Sequence, residues 1–248
     1  MSFEKRFKEI IQKTPLPPKH HLWLNAFFSS FLVFCVFSLY LFSRRGEYDL
    51  YIANKAVAGT SLTIIGLSMA LSGICYFWNR FDSKIIYRKH LGIIGFGYGL
   101  MHTVFSLFFL SDRFQFPTYF LSDNPHRISF FAALTAVFIF IIMTLISNKY
   151  AAQELGGVWW RRILRFGYVA YILIIIHLIA LKYKGWISWI QEREDLLPPL
   201  GLPLFIFALF VIVLRIILEI AIRRNKKRPV VQSSYEAPQQ QNPPNSTV

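Results

Sequence analysis

Cysteine is nearly absent from this chain, with two in 248 residues. Cys35 and Cys75 stand in separate apolar runs without a Cys-x-x-Cys spacing, which argues against a redox dithiol or a soft thiolate metal site and makes each a small apolar filler. Acidic residues are scarce too, 13 against 27 Lys and Arg. They fall at interfaces, in loops or in the C-terminal tail, leaving no paired carboxylates, no Ser-His-Asp order and no metal-binding helix motif. The signatures of helix-turn-helix, zinc-finger and RNA-binding modules are also missing, so no nucleic-acid partner is expected and the net charge of +14 needs another cause. A secretory signal peptide is not expected, because Met1 to His21 is polar and no small-residue cleavage pattern follows the first apolar run.

Apolar surface is what the chain has in excess. With 54% hydrophobic and 17% aromatic residues, it carries more than a single soluble core of this length needs. A helix of about 20 residues crosses the hydrocarbon layer, and four charge-free runs meet that length: Leu22 to Phe42, Ala56 to Trp78, Leu91 to Leu110 and Ile128 to Ile146. A fifth, Phe166 to Leu181, extends back to Ile163 at the expense of Arg165 alone, whose head can snorkel to the interface. The sixth runs from Leu200 to Leu214 and ends at Arg215 and Glu219, one turn apart and able to pair. The expectation is an all-α membrane protein, a six-transmembrane-helix bundle over 22–222. A cytoplasmic amphipathic segment over 1–21 precedes it, suited to the membrane surface or to a partner, and a disordered cytoplasmic tail over 223–248 follows.

Orientation follows from the basic residues. With both termini cytoplasmic, 19 of the 27 Lys and Arg fall on the inner side and eight on the outer, the bias expected of a multi-pass protein in a plasma or bacterial inner membrane. Anionic headgroups of the bilayer then account for the net charge.

Two histidines remain inside the spans. His102 in "GYGLMHTVFSL" is eleven residues beyond Leu91, and His177 in "AYILIIIHLIAL" is eleven beyond Phe166. At about 1.5 Å per residue each ring is expected roughly 16 Å from the inner surface, slightly past the midplane. An imidazole in hydrocarbon must satisfy its N–H and lone pair. A haem iron gripped from both faces by a matched pair is one solution; separate hydrogen bonds to neighbouring Ser, Thr or Tyr are the other. Gly95 and Ala170 each stand seven residues before a histidine, leaving either a slot for a flat macrocycle edge or room for close helix packing. The run Gly92, Gly95, Gly97, Gly99 follows no strand and is not a dinucleotide fingerprint.

"YRKHLGIIGFGYGLMH" (87 to 102) resembles the third helix of the ferric reductase-like transmembrane domain of STEAP metalloreductases, and is also similar to the haem-binding membrane subunit of the bacterial methionine sulfoxide reductase system. "RFGYVAYILIIIHLIAL" (165 to 181) resembles the fifth helix of that family, and "SNKYAAQELGGVWWRRI" (147 to 163) its inner loop. The likeness covers roughly residues 56 to 228. It implies a haem b with His102 and His177 as axial ligands, a bis-histidine site between the third and fifth spans. By the same resemblance the protein is the membrane component of a ferric or metalloreductase-like oxidoreductase. Its electrons come from the cytoplasmic side and reduce a ferric or cupric ion, or a partner protein, outside. Leu164 stands where the bacterial subunit has a second histidine, and Ile163 and Leu164 where the STEAP pattern has Gln-Ser.

The spans use most of the chain, so a flavin reductase or other NAD(P)H-dependent donor is expected in trans. Arg88, Lys89, Arg161, Arg162 and Arg165 suit the phosphates of FAD or FMN, although inner-side charge bias alone would also place them. His90 is a candidate ligand for an inner haem. Phe96, Tyr98, Phe166 and Tyr168 line the expected inner path, and a homo-oligomer is compatible with the reading. On the outer face, Arg113, His126, Arg127, Lys182 and Lys184 suit an anionic chelate or haem propionates, with solvated loop charge as the plainer account. The rival class is a six-helix scaffold or assembly partner without haem.

Overall fold

The computed structural model describes residues 18–110, 115–121, 123–192 and 195–227. The expected surface segment before residue 18, Arg113, Arg193 and the tail from residue 228 lie outside the described residues. Every regular element among those described is helical, and six helices are long and apolar enough to cross a membrane.

Helix α1 (Lys19–Arg45) stops at Gly46, whose left-handed φ of 72° turns the chain while its N–H bonds Phe42 O. Asp49 then caps α2 (Leu50–Phe77) by accepting from Ile52 N at 2.7 Å. A 3-10 stretch (Asn79–Tyr87) leads into α3 (Arg88–Val104), which ends in a π turn (Phe105–Phe109). A short 3-10 segment (Phe116–Phe120) precedes α4 (Arg127–Leu145). Asn148 caps the small helix α5 (Lys149–Glu154), and Gly156, at φ 70°, starts α6 (Gly156–Glu192). Pro198 and Pro199 precede α7 (Gly201–Lys227). Each expected span is matched by one helix; the starts of the first five move outward, that of α2 to its Asp49 cap, while α2, the third span and α4 end one residue short of their apolar runs.

Both ends of the bundle are tied. At the end where α1 begins and α7 finishes, Asn25 donates to Tyr87 Oη at 3.2 Å and Asn225 to Tyr76 Oη at 2.6 Å. At the far end Tyr40 Oη donates to Pro198 O at 2.6 Å, Arg44 Nε donates to Leu197 O at 3.1 Å, and Arg44 pairs with Asp195.

α2 is the hub. It is less apolar than α4 or α7, yet it is buried over most of its length while every other span faces mainly outward. The inversion has a physical cause: lipid solvates leucine as well as a neighbouring helix does, so small and weakly polar residues turn inward, where backbones approach and hydroxyls find partners. Gly59 leaves space for Leu204 and Phe37, and Gly73 for Leu214; α1, α3 and α7 pack around this face. α6 reaches α2 through the fully buried Tyr171, whose hydroxyl donates to Leu62 O at 3.1 Å. α4 packs on α6.

The α2–α3 pair has a strict register. Ser68 Oγ donates to Arg88 O at 2.6 Å, Ser61 Oγ to Gly95 O at 2.8 Å, and Asn54 Oδ1 meets His102 Nδ1 at 2.9 Å. Positions 54, 61 and 68 step down one helix by sevens as 102, 95 and 88 step up the other, so each polar group meets its partner every two turns. Side chains at Gly92 and Gly99 would strike the Ser68 and Ser61 hydroxyls, and one at Gly95 would strike Ile65. Three of the four glycines thus serve this approach. Gly97, on the opposite side, has open space where a Cβ would stand.

Candidate functional site

The two histidines of the spans are held in the same manner by different helices. His102 lies in the last turn of α3, just before the π turn, a distortion that frequently accompanies functional positions. Its Nδ1 is 2.9 Å from Asn54 Oδ1, and Asn54 Nδ2 donates to Ser106 Oγ at 2.9 Å. Asn54 is buried, and with its oxygen toward the imidazole the carboxamide accepts from Nδ1–H while its nitrogen donates to Ser106.

His177 on α6 faces Ser129 on α4. Its Nδ1 is 2.9 Å from Ser129 O and 2.9 Å from Ser129 Oγ, while that hydroxyl donates to His177 O at 3.2 Å. A backbone carbonyl only accepts, so Nδ1 carries a proton, and in the neutral ring the lone pair is then on Nε2. The carboxamide oxygen of Asn54 sets the same tautomer in His102. Neither Nε2 has a hydrogen-bond partner among the described residues. The two rings lie within electrostatic range of each other, yet α3 and α6 do not pack on one another along their length, each leaning on its own partner helix.

Their depth differs from the expectation. Asn54 is four residues from the start of α2 and Ser129 two from the start of α4, so the pair shares a level about 3 to 6 Å from those helix ends. The midplane estimate took Leu91 and Phe166 as inner boundaries; the helices instead begin at Arg88 and Gly156, and α6 runs on past the start of α4. The long stretch lies on the other side, toward the end of the bundle that holds both termini.

The remaining expected residues are placed as follows. Gly95 is turned toward α2, where an added Cβ would stand 2.9 Å from Ile65 N, so its smallness is accounted for by helix packing rather than by a slot facing α6. Ala170 is fully buried in the core. Arg88, Lys89, Arg161, Arg162 and Arg165 are exposed around the terminal end; the Arg162 guanidinium sits 4.8 Å over the Trp159 ring. His90 donates to Ile86 O at 3.2 Å in its Nδ1–H form and meets the Trp23 ring edge-on at 4.8 Å. The aromatic residues of the expected path point to different neighbours: Phe96 to Phe140 at 6.2 Å, Tyr98 to Phe34 at 6.3 Å, Tyr168 to the Arg215 guanidinium at 4.8 Å, and Phe166 outward.

Asn54 and Ser129 were missed in the sequence, although the first carried a signal. Asn54, Ser61 and Ser68 recur at the same interval of seven as Arg88, Gly95 and His102, and matched polar periods on adjacent apolar helices mark a contact seam. Ser129 carries no such mark.

Chemically the arrangement offers two neutral imidazoles with unengaged Nε2 lone pairs. Among the described residues no group of three or more His, Cys, Asp or Glu is placed to hold a metal ion. Bare ions take three or more protein ligands, whereas a metal that arrives with four in-plane donors needs only an axial pair. Two imidazoles are thus the number of protein donors that such an axial pair needs, and fewer than a bare ion takes. No protein-family profile and no curated protein matches the chain.

Proposed function

We propose that the protein is a transmembrane b-type haem protein that passes electrons from a cytoplasmic flavin or NAD(P)H-dependent donor to an acceptor on the outer face, a ferric or cupric ion or a partner protein. The observation that carries the reading is the paired anchoring of His102 and His177 through Nδ1, with both Nε2 atoms left as ligands at one level. Acceptors hydrogen-bonded to Nδ1 in this way fix the tautomer and ring orientation of metal-ligating histidines and raise their basicity. A haem b held there supplies one-electron redox chemistry at its iron.

The residues of the chain divide the work. His102 and His177 bind from helices that do not pack together, Asn54 and Ser129 hold their rings, and Tyr171 ties α6 to α2 beneath them. His102 and His177 would both be taken up in holding such a haem, and the chemistry it would supply is electron transfer rather than oxygen activation. The excess of Lys and Arg at the end where α1 begins and α7 finishes supports a cytoplasmic location for that end, with the histidine pair then in the outer half of the bilayer. The site then lies close to its acceptor and far from its donor. An inner relay, FAD or FMN beside Arg88, Lys89, Arg161, Arg162 and Arg165, suits the remaining distance.

The test is a reduced-minus-oxidised spectrum of the purified full chain beside His102→Ala and His177→Ala. A Soret band and sharp α-band of a six-coordinate haem are expected in the wild type, lost in either variant. A colourless protein that stays so after haem is supplied favours the scaffold reading, in which Asn54 and Ser129 are the histidines' only partners.

A further inference from the structure

Beyond the histidine pair, at the same end of the bundle, three cations share one corner. Lys182, five residues past His177 on α6, is half-buried; Lys55 and Tyr51 at the start of α2 and Arg45 at the end of α1 lie within electrostatic range of it. The Lys55 ammonium sits 3.9 Å over the Tyr51 ring, and Lys55 adjoins Asn54, the residue that holds His102. Lys182 is also within electrostatic range of His177. Of the carboxylates nearby in sequence, Asp49 caps α2, Asp195 pairs with Arg44, Glu192 accepts from Ser188, and Glu47 is exposed. Lys182 itself has no carboxylate partner among the described residues.

A cation withdrawn from water next to two others raises the energy of the fold unless an anion joins it. The corner is specific in what it accepts. Ammonium and guanidinium groups at a half-dry surface favour carboxylates through charge-assisted hydrogen bonds, and a haem b brings two carboxylates on one edge of its ring.

Resting on the haem reading above, we propose that Lys182, with Lys55 and Arg45 beside it, binds the haem propionates, so that the carboxylate edge of the macrocycle points to the far end of the bundle. The corner is an anion site built on α1, α2 and α6, of which α2 carries Asn54, the partner of His102, and α6 carries His177. It fixes which way round the haem sits, a choice that two equivalent axial imidazoles leave open.

The test uses haem-free full-length protein in detergent, titrated by Soret absorbance with protohaem IX and with its dimethyl ester, which keeps the ring and iron but lacks both carboxylates. Wild type is expected to bind protohaem at least about tenfold more tightly than the ester, as for one or two charge-assisted hydrogen bonds. Lys182→Met should erase most of that preference and Lys182→Arg should keep it. Equal binding of the two ligands by wild type, or a full preference retained in Lys182→Met, overturns the proposal while leaving the haem site standing. If neither ligand gives a six-coordinate spectrum, the haem reading itself fails and this assignment falls with it. Should Lys182→Met not fold, the wild-type comparison of haem and ester still decides.

Discussion

Asn54 and His102 meet at 2.9 Å across α2 and α3, and the register this contact defines runs the length of the interface through Ser61 and Ser68. One contact therefore links the packing of the bundle to the orientation of a candidate ligand.

Asn54→Leu should separate those two roles. It leaves His102 Nδ1 and Ser106 without a buried partner, which costs about 1 to 3 kcal/mol, seen as a lower unfolding midpoint in detergent. Loss of the ring's acceptor should also weaken haem binding by about 10- to 100-fold, measured by Soret titration. Unchanged haem affinity would show that His102 does not act as a ligand through Nε2.

Ser129→Ala is expected to be milder. The hydroxyl is lost, but Ser129 O remains 2.9 Å from His177 Nδ1, so the ring keeps its acceptor and tautomer. Haem affinity should fall by less than about threefold, since one neutral hydrogen bond nets about 1 kcal/mol or less and the principal one survives. A loss as large as that in Asn54→Leu would mean the hydroxyl, and not the carbonyl, holds the ring.

Gly95→Ala and Gly97→Ala form an internal control, two residues apart on one helix. The first drives a methyl to 2.9 Å from Ile65 N and should destabilise the α2–α3 pair by about 1 to 3 kcal/mol. The second enters open space and should be neutral or gain up to about 1 kcal/mol from helix propensity. Thermal unfolding of the two variants side by side checks the register, and the reverse order would refute it.

Tyr171→Phe removes a buried donor to Leu62 O, the tie between α6 and α2. A stability loss of about 0.5 to 1.5 kcal/mol is expected, with the haem spectrum retained because the histidines keep their own partners. Loss of the spectrum would place Tyr171 in the site.

Much of the helix pattern was legible in the sequence because a membrane crossing demands a long apolar run, and that demand is local. Leu22 to Phe42 reads as a span before any partner is known. The true ends were less visible: Asp49 and Gly46 set them by capping chemistry outside the apolar stretch. Gly95 illustrates the opposite case. Its spacing from His102 suggested a shared face, correctly, but which helix that face meets is a property of α2.

The sequence alone determined that six helices are long and apolar enough to cross a membrane and that two of them carry an imidazole within the apolar run, since length and hydropathy act residue by residue. Tertiary structure decided the rest: that α2, less apolar than α4 or α7, is the hub, that Asn54 and Ser129 hold the histidines, and that the pair lies near one end instead of the middle. Those outcomes depend on how far one helix slides along another. That slide is set by glycines, serines and a carboxamide meeting across segments dozens of residues apart, and no single segment encodes it.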